Sequence, residues 1–388
     1  MTALAAWQEE LGARLAGLEQ AGLRRRLELA SGIDFSSNDY LGFARDSGLA
    51  RAIGARICAV AGDDPAALFA PASRLLRGDT ALHREVEARL AQFKGTEAAI
   101  LLPSGYQANV ALLTAILGPD DRALSDELNH ASLIDGLRLS GCRRRVIPHL
   151  DLAAYERALA EPHAGGRTVV VVESLFSMDG DAAPLALLAE ACDRHGALLV
   201  VDDAHAAGVF GDARGSGLIE VHGLERRVAA SVTTFGKAFA AGGACIAGPR
   251  ALIDWIVNRA RAFVFSTAVS PLLLLALATG LDHLERHRGR AGVVRSRAAR
   301  LRRRLAEAGV GVAAGDSPIV PVFLGSNERA LAVGALVRAQ GFDVRAVRPP
   351  TVPAGTARLR LSVHADHSED EIDRLAGAIG EAVHRVPV

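Results

Sequence analysis

Lys237 stands in an apolar stretch of the sequence where it could act as a primary amine. The chain contains 44 Lys and Arg residues, and only Lys94 and Lys237 are lysine. Where arginine supplies nearly every positive charge, a lysine is expected where a guanidinium cannot act, as in forming a Schiff base. Lys237 is flanked by two threonines (233–234) and two glycines (242–243) with no other charge nearby. We predict that Lys237 is buried and used covalently. We interpret Lys94 as a chance lysine at an exposed helix end.

Polar residues follow several apolar runs that have the length of buried strands. They are Ser104, Gly105, Tyr106, Glu173–Ser177, Asp202, His205, Thr234 and Lys237. The ligand site of a parallel sheet lies at the carboxyl ends of its strands. We therefore expect these residues to converge.

A phosphate site is indicated where Gly105 and Tyr106 join an apolar run to a helical pattern. Backbone amides at a helix start bind phosphate, and Thr234 could add a hydroxyl. Residues 236–238 do not form a P-loop, because the upstream glycine and the following Ser or Thr are missing.

Asp202 could be a helix N-cap, a functional acid or, with His205, part of a metal pair for which no third ligand lies nearby. If a pyridine cofactor is bound to Lys237, a carboxylate must keep its ring nitrogen protonated, which favours the functional acid. We predict no metal. His130 is equally compatible with a surface histidine and with a ring stacked on a flat ligand.

Arg358 and Arg360 alternate in the strand-like segment ARLRLS, so both side chains are predicted on one face. They could form structural salt bridges. Alternatively they could clamp a carboxylate, for which the planar guanidinium is well suited.

Apolar runs alternate with helical patterns from residue 97 to about 250, which predicts a buried, mainly parallel sheet flanked by helices. A helix is expected over 3–30, and a small α+β lobe closes the chain. We predict an N-terminal segment (1–44), a large domain (45–285) and a small domain (286–388) of α/β class.

The net charge of zero argues against nucleic acid as the main partner. Four scattered cysteines are typical of a reducing cytoplasm. Nine arginines within 285–304 are interpreted as a solvated helix face. The uncharged run 262–281 contains Pro271 and is interpreted as a buried strand end followed by a core helix, with no membrane span.

Several stretches, taken together and in order, resemble the α-oxoamine synthases, a branch of the fold-type I (aspartate aminotransferase-like) pyridoxal-phosphate enzymes. They are SSNDYLG (36–42), LPSGYQAN (102–109), NHASLIDG (129–136), ESLFSMDGDAAPL (173–185), VVDDAHAAGVFG (200–211), TFGKAFAAGGA (234–244), FST (265–267) and RPPTVPAGTARLRLS (348–362).

The resemblance implies that Lys237 carries pyridoxal 5'-phosphate and acts as a base, that Asp202 pairs with the ring nitrogen, and that His130 stacks on the ring. It also implies further ligands in three groups: Ser177 and His205 at the polar edge of the ring; Gly105, Tyr106, Thr234 and, from a neighbouring subunit, Thr267 at the phosphate; and Asn38, Arg360, Arg24, Thr351 and His130 for the substrates.

The resemblance further implies a cytoplasmic homodimer with shared sites that joins an amino acid to an acyl thioester with loss of CO2. The segment 348–362 favours the branch that condenses L-alanine with pimeloyl-CoA or pimeloyl carrier protein in biotin biosynthesis. Other branches, which use glycine or serine, are the first alternative, and a non-catalytic dimeric scaffold is a distant one. The segment 63–78 departs from the glycine-rich pattern of the family, which leaves the acyl donor open.

Overall fold

The computed structural model describes residues 1–387 and divides into two compact units. The larger unit comprises Asn38–Ser177 and Asp181–Val294. The smaller unit comprises Met1–Ser37, Met178–Gly180 and the chain from Arg295 onward. The division into 1–44, 45–285 and 286–388 remains a prediction.

The helices, in chain order, are α1 (Ala3–Gln20), α2 (Ser47–Asp63), α3 (Ala81–Lys94), α4 (Gly105–Ile116), α5 (Ala131–Ser140), α6 (Leu152–Ala160), α7 (Leu185–His195), α8 (Leu218–Val221), α9 (Arg250–Arg259), α10 (Arg261–Val264), α11 (Pro271–Arg286), α12 (Gly289–Glu307), α13 (Asn327–Ala339) and α14 (Glu369–Arg385). The strands are β1 (Ile33–Asp34), β2 (Ala98–Leu102), β3 (Arg122–Asp126), β4 (Arg143–Ile147), β5 (Thr168–Glu173), β6 (Leu198–Asp202), β7 (Ala230–Thr234), β8 (Ala244–Gly248), β9 (Ile319–Gly325), β10 (Phe342–Asp343), β11 (Ala346–Val347) and β12 (Ala357–Ser362).

A seven-stranded sheet forms the centre of the larger unit, in the order β2-β8-β7-β6-β5-β3-β4. Strand β8 runs antiparallel to both of its neighbours, and the remaining pairs are parallel. Residues 169–172 of β5 are buried, because helices cover both faces of such a sheet. The predicted mainly parallel sheet is confirmed, although β8 was not foreseen.

The smaller unit contains an antiparallel sheet in the order β11-β12-β9 and a parallel pair, β1 with β10. Helix α14 begins with a capping box, in which Ser368 and Glu371 satisfy each other's backbone amides. The predicted α+β arrangement of the C-terminal segment is confirmed.

Two predicted elements differ from the structure. Helix α1 ends at Gln20 rather than near residue 30, since Gly22 adopts a left-handed φ of 62° that terminates helices. The run 262–281 contains the core helix α11, with Pro271 in its first turn, but no strand precedes it. Among residues 1–387, no helix is both long and apolar enough to cross a membrane.

Three arginines in the second half of α12 have partners within the smaller unit. Arg302 is buried and donates to the carbonyl oxygen of Ser317 at 2.9 Å. Arg300 and Arg304 both form ion pairs with Asp373, at 2.7 and 2.8 Å. The interpretation as a solvated face is therefore wrong for Arg302, whereas Arg300 and Arg304 form ion pairs on a partly exposed surface.

A histidine clamp holds the carboxyl end of β3. His149 contacts Asp126 through Nδ1 at 2.9 Å and Asp181 through Nε2 at 3.0 Å. Burial alone would lower the pKa of His149, but hydrogen bonds to the two carboxylates outweigh it and raise the pKa to about 10. His149 is therefore a cation at neutral pH.

His149→Gln is expected to destabilise the protein at pH 6 by about 1.5–3 kcal/mol, the value of a hydrogen bond to a charged group. The folded pKa lies above the unfolded value, so the stabilisation is complete below pH 6.5 and is lost as the pH rises toward 10. Urea unfolding at pH 6 and pH 10 measures the difference. An equal loss at both pH values would contradict the charged clamp.

Candidate active site

One cavity of about 330 Å³ lies at the carboxyl end of the larger sheet. It is lined by Asn38, Pro103, Ser104, Gly105, Tyr106, Asn109, His130, Ser132, Glu173, Asp202, Ala204, His205, Thr234, Gly236, Lys237 and Gly243. The predicted convergence of the strand ends is confirmed, because residues at or just after the ends of β2, β5, β6 and β7 line this cavity.

Lys237 follows β7 in a tight turn that presents its amine to the cavity. Its Nζ donates to Thr234 Oγ1 at 3.2 Å. Ala240 closes the turn by donating to the Lys237 carbonyl oxygen and adopts a left-handed φ of 47°, which is uncommon for a residue with a Cβ. The prediction that Lys237 is buried is wrong in degree: it is half-buried because its side chain borders the cavity.

The start of α4 meets the end of β7 at the predicted phosphate site. A Cβ at Gly105 would lie 2.4 Å from Thr234 Cγ2, so only glycine permits this approach. Ser104 caps the helix by accepting from the Gln107 amide at 3.2 Å. Tyr106 directs its hydroxyl to Asp135 at 2.5 Å, and this hydrogen bond raises the pKa of Tyr106.

Two carboxylates lie side by side at the ends of β5 and β6. Asp202, the partner of Glu173 in the strand register, accepts from the Ala204 amide at 3.0 Å and from Asn109 Nδ2 at 2.6 Å. Burial, aided by the charge of Asp202, raises the pKa of Glu173 to about 8. Glu173 accepts from the His130 amide at 2.5 Å. The raised pKa favours a neutral Glu173 carboxyl group near neutral pH.

Tyr40 connects two predicted ligands. It is fully buried, and its hydroxyl lies 3.1 Å from Asn38 Oδ1 and 2.7 Å from His205 Nδ1. Tyr40 therefore positions both side chains at the cavity wall.

Two predicted ligands of the larger unit lie outside this cavity lining. Ser177 is buried. Thr267 is exposed and forms an isolated β-bridge with Ser73.

The predicted substrate ligands Arg24, Thr351 and Arg360 belong to the smaller unit. Arg24 forms an ion pair with Glu19 at 3.2 Å. Thr351 accepts from Arg25 Nη2 at 2.8 Å. Arg360 is buried and donates to a serine hydroxyl, Ser362 Oγ, at 2.7 Å.

Arg358 forms the structural salt bridge that was one of its two interpretations. Its guanidinium contacts Asp179 at 2.5 Å and lies over the ring of Phe323, with 4.3 Å from Cζ to the ring centroid. The carboxylate-clamp interpretation therefore rests on Arg360.

The interpretation of Lys94 as a chance, exposed lysine is wrong. Its side chain is 1% exposed, and Nζ contacts Asp203 Oδ2 at 2.7 Å and the Ser216 carbonyl oxygen at 2.5 Å. The last turn of α3 points inward, toward the loop that follows β6, so the amine is enclosed.

The sequence did not single out Tyr40, Asn109 or Ser132, and it gave Glu173 no role beyond its place at a strand end. Tyr40 and Asn109 lie within SSNDYLG and LPSGYQAN, and Ser132 lies within NHASLIDG. Their position inside these stretches was the available signal. Their partners are set by the fold: Asn109 and Asp202 are 93 positions apart.

The lysine, the acid and the amide turn around one cavity define an enzyme that holds a ring cofactor on an amine. The family model described as aminotransferase class I and II matches residues 30–379. The chain therefore belongs to this family.

Relatives similar over almost the whole chain are 8-amino-7-oxononanoate synthases. That of Anaeromyxobacter dehalogenans is 44% identical, covering 97% of this chain and 96% of the relative. That of Geobacter sulfurreducens is 39% identical, covering 95% of this chain and 96% of the relative.

Solved structures agree on the fold. A serine palmitoyltransferase solved with PLP has a TM-score of 0.88 and 26% identity, covering 100% of this chain and 99% of that one. The 8-amino-7-oxononanoate synthase of Francisella tularensis has a TM-score of 0.76 and 25% identity, covering 92% of this chain and 98% of that one.

Proposed function

We propose that this chain is a PLP-dependent acyltransferase of biotin biosynthesis, which condenses L-alanine with a pimeloyl thioester to give 8-amino-7-oxononanoate, CO2 and free thiol. The observation that carries the proposal is the amine of Lys237 in a cavity shared with Asp202, His130 and the amide turn at Gly105. Curated synthases that are 44% and 39% identical over almost the whole chain support this branch.

The residues of the cavity fit pyridoxal phosphate. The turn at Gly105, where a Cβ would clash with Thr234, leaves helix-start amides open to a phosphate. Lys237 supplies the amine for the aldehyde, and Asp202 supplies the carboxylate for the ring nitrogen. When bound, the cofactor withdraws electrons from the α-carbon of the amino acid.

The chain's own groups then move and hold protons. Lys237 Nζ is placed to remove the α-proton of alanine, which requires the neutral amine. Asp202 holds a proton on the ring nitrogen, since its two oxygens already accept from Asn109 and Ala204 and stay oriented. Asn38 and Arg360 remain, from the resemblance, the predicted ligands of the alanine carboxylate, and Arg24 and Thr351 those of the acyl chain.

We propose a cytoplasmic homodimer in which Thr267 serves the neighbouring site. An exposed apolar patch around Thr267 supports this: Phe265 is 73% exposed, and Leu75 and Leu76 in the paired segment are 53% and 83% exposed. A second copy would remove this surface from water. Sedimentation analysis that returns the mass of one chain would contradict it.

Product analysis tests the function. With L-alanine and pimeloyl-CoA, or pimeloyl carrier protein in a parallel reaction, mass spectrometry is expected to find 8-amino-7-oxononanoate. Spectral titration of the holoenzyme with alanine, glycine and serine provides the comparison, and alanine is expected to give the largest change. Turnover with serine and a long acyl thioester, but not with alanine, would assign the chain to the serine branch.

A further inference from the structure

An unbroken series of hydrogen bonds connects Asp202 to His130. Asn109 Nδ2 donates to Asp202 Oδ2 at 2.6 Å and to Ser132 Oγ at 2.9 Å. Ser132 Oγ lies 2.7 Å from His130 Nδ1, and the Ser132 amide donates to the same nitrogen at 3.2 Å. Asn109 and Ser132 are 1% and 0% exposed, so water does not compete for these bonds.

The partners fix the direction of each proton. A carboxylate only accepts, which identifies the Asn109 atom beside Asp202 as the amide nitrogen. Ser132 Oγ accepts from that nitrogen, so its own proton turns to His130 Nδ1. The Ser132 backbone amide can only donate, and it independently requires an unprotonated Nδ1.

The position of His130 favours a neutral ring. Its side chain caps the N-terminus of α5, where the helix dipole disfavours a cation. Desolvation by the cavity walls lowers the pKa of His130; the charge of Asp202 offsets part of this, and the nearby Lys237 amine adds a smaller lowering effect. A neutral imidazole without a proton on Nδ1 must carry it on Nε2.

We propose that Asn109 and Ser132 are positioning residues that hold His130 as its Nε2–H tautomer and couple its ring to Asp202. Neither residue needs to touch substrate or cofactor. Under the proposed function, which this inference deepens, His130 then offers the cavity a fixed hydrogen-bond donor at Nε2. The side-chain amide of Asn109, acting through Ser132, fixes the position of that donor relative to the Asp202 carboxylate.

Long-range ¹H–¹⁵N NMR of ¹⁵N-histidine-labelled protein reads the tautomer without any turnover. The His130 signals are assigned by their loss in His130→Asn. In the wild type, Nδ1 is expected to show the shift of an unprotonated nitrogen and Nε2 that of a protonated one. A protonated Nδ1 at neutral pH would overturn the proposal, whether or not the enzyme makes the expected product.

Two variants separate positioning from general stability. Ser132→Ala is expected to move the His130 NMR signals toward the average of the two tautomers. It should also lower kcat about tenfold, which corresponds to the loss of one hydrogen bond. The KM for the acyl thioester should stay within about twofold of the wild-type value. Ser132→Thr, which keeps the hydroxyl, should restore the wild-type signals. Ser140→Ala is the matched control on the same helix, because its hydroxyl donates to the Leu137 carbonyl oxygen and accepts from the Cys142 amide, both outside the series.

Non-additivity tests the coupling. Asn109→Ala should also lower kcat, and the double variant Asn109→Ala/Ser132→Ala should lose no more than about twofold beyond the worse single variant. Losses that multiply would show two independent contacts and overturn the coupling. Unchanged His130 signals and kcat in Ser132→Ala would overturn the positioning role.

Discussion

Lys237→Ala is expected to lower turnover of alanine and a pimeloyl thioester by at least about 10³-fold and to abolish the visible absorbance of the lysine-bound cofactor. One side chain performs two tasks here, because the amine both attaches the cofactor and removes the α-proton. General-base catalysis alone contributes about 10²–10⁴-fold. Absorbance spectra of the purified variant and product formation by mass spectrometry are the measurements.

Lys237→Arg is the control that keeps the positive charge. A guanidinium cannot lose its proton or form a Schiff base near neutral pH, so this variant should be as inactive as Lys237→Ala. Both should unfold at urea concentrations close to that of the wild type, because Lys237 is half-buried at the cavity and lies outside the core. A visible chromophore with retained turnover in either variant would remove Lys237 from the proposed chemistry.

The arrangement of the larger sheet could be predicted because each buried strand is a short, continuous apolar run. Residues 169–172, for example, are four successive valines and lie wholly in the core. The ligand site followed from the same pattern, since strand ends of a parallel sheet meet at one edge. Strand β8 was missed because its run, ACIAG, directly follows the glycines of the Lys237 turn.

Side-chain partnerships could not be predicted in the same way. Lys94 and Asp203 are 109 positions apart, and His149 binds carboxylates 23 and 32 positions away. No local periodicity encodes such pairs, because the fold alone brings their elements together. The scarcity of lysine was nevertheless a useful signal at Lys94, which is buried and ion-paired, and at Lys237 the inference drawn from it stays a prediction. It was applied to Lys237 and set aside for Lys94, whose compact ammonium is enclosed beside Asp203.

Lys94→Met is expected to destabilise the protein by about 3–5 kcal/mol, the cost of leaving one partner of a buried ion pair uncompensated. Asp203 is 0% exposed and would keep only the Ser174 hydroxyl at 2.6 Å and the Leu218 amide at 3.2 Å. Urea unfolding of the holoenzyme at neutral pH measures the loss.

The surroundings of Asp203 also predict that arginine cannot replace the lysine, so Lys94→Arg should be destabilised as well. Nζ lies between Asp203 Oδ2 and the Ser216 carbonyl oxygen and Lys94 is 1% exposed, so the larger guanidinium would have to displace buried neighbours. Arg14→Ala provides the matched control. It breaks an exposed pair with Glu10 and should cost no more than about 1 kcal/mol. If Lys94→Met costs no more than this control, the buried pair does not stabilise the turn after β6, and the scarcity of lysine has no structural meaning at this position.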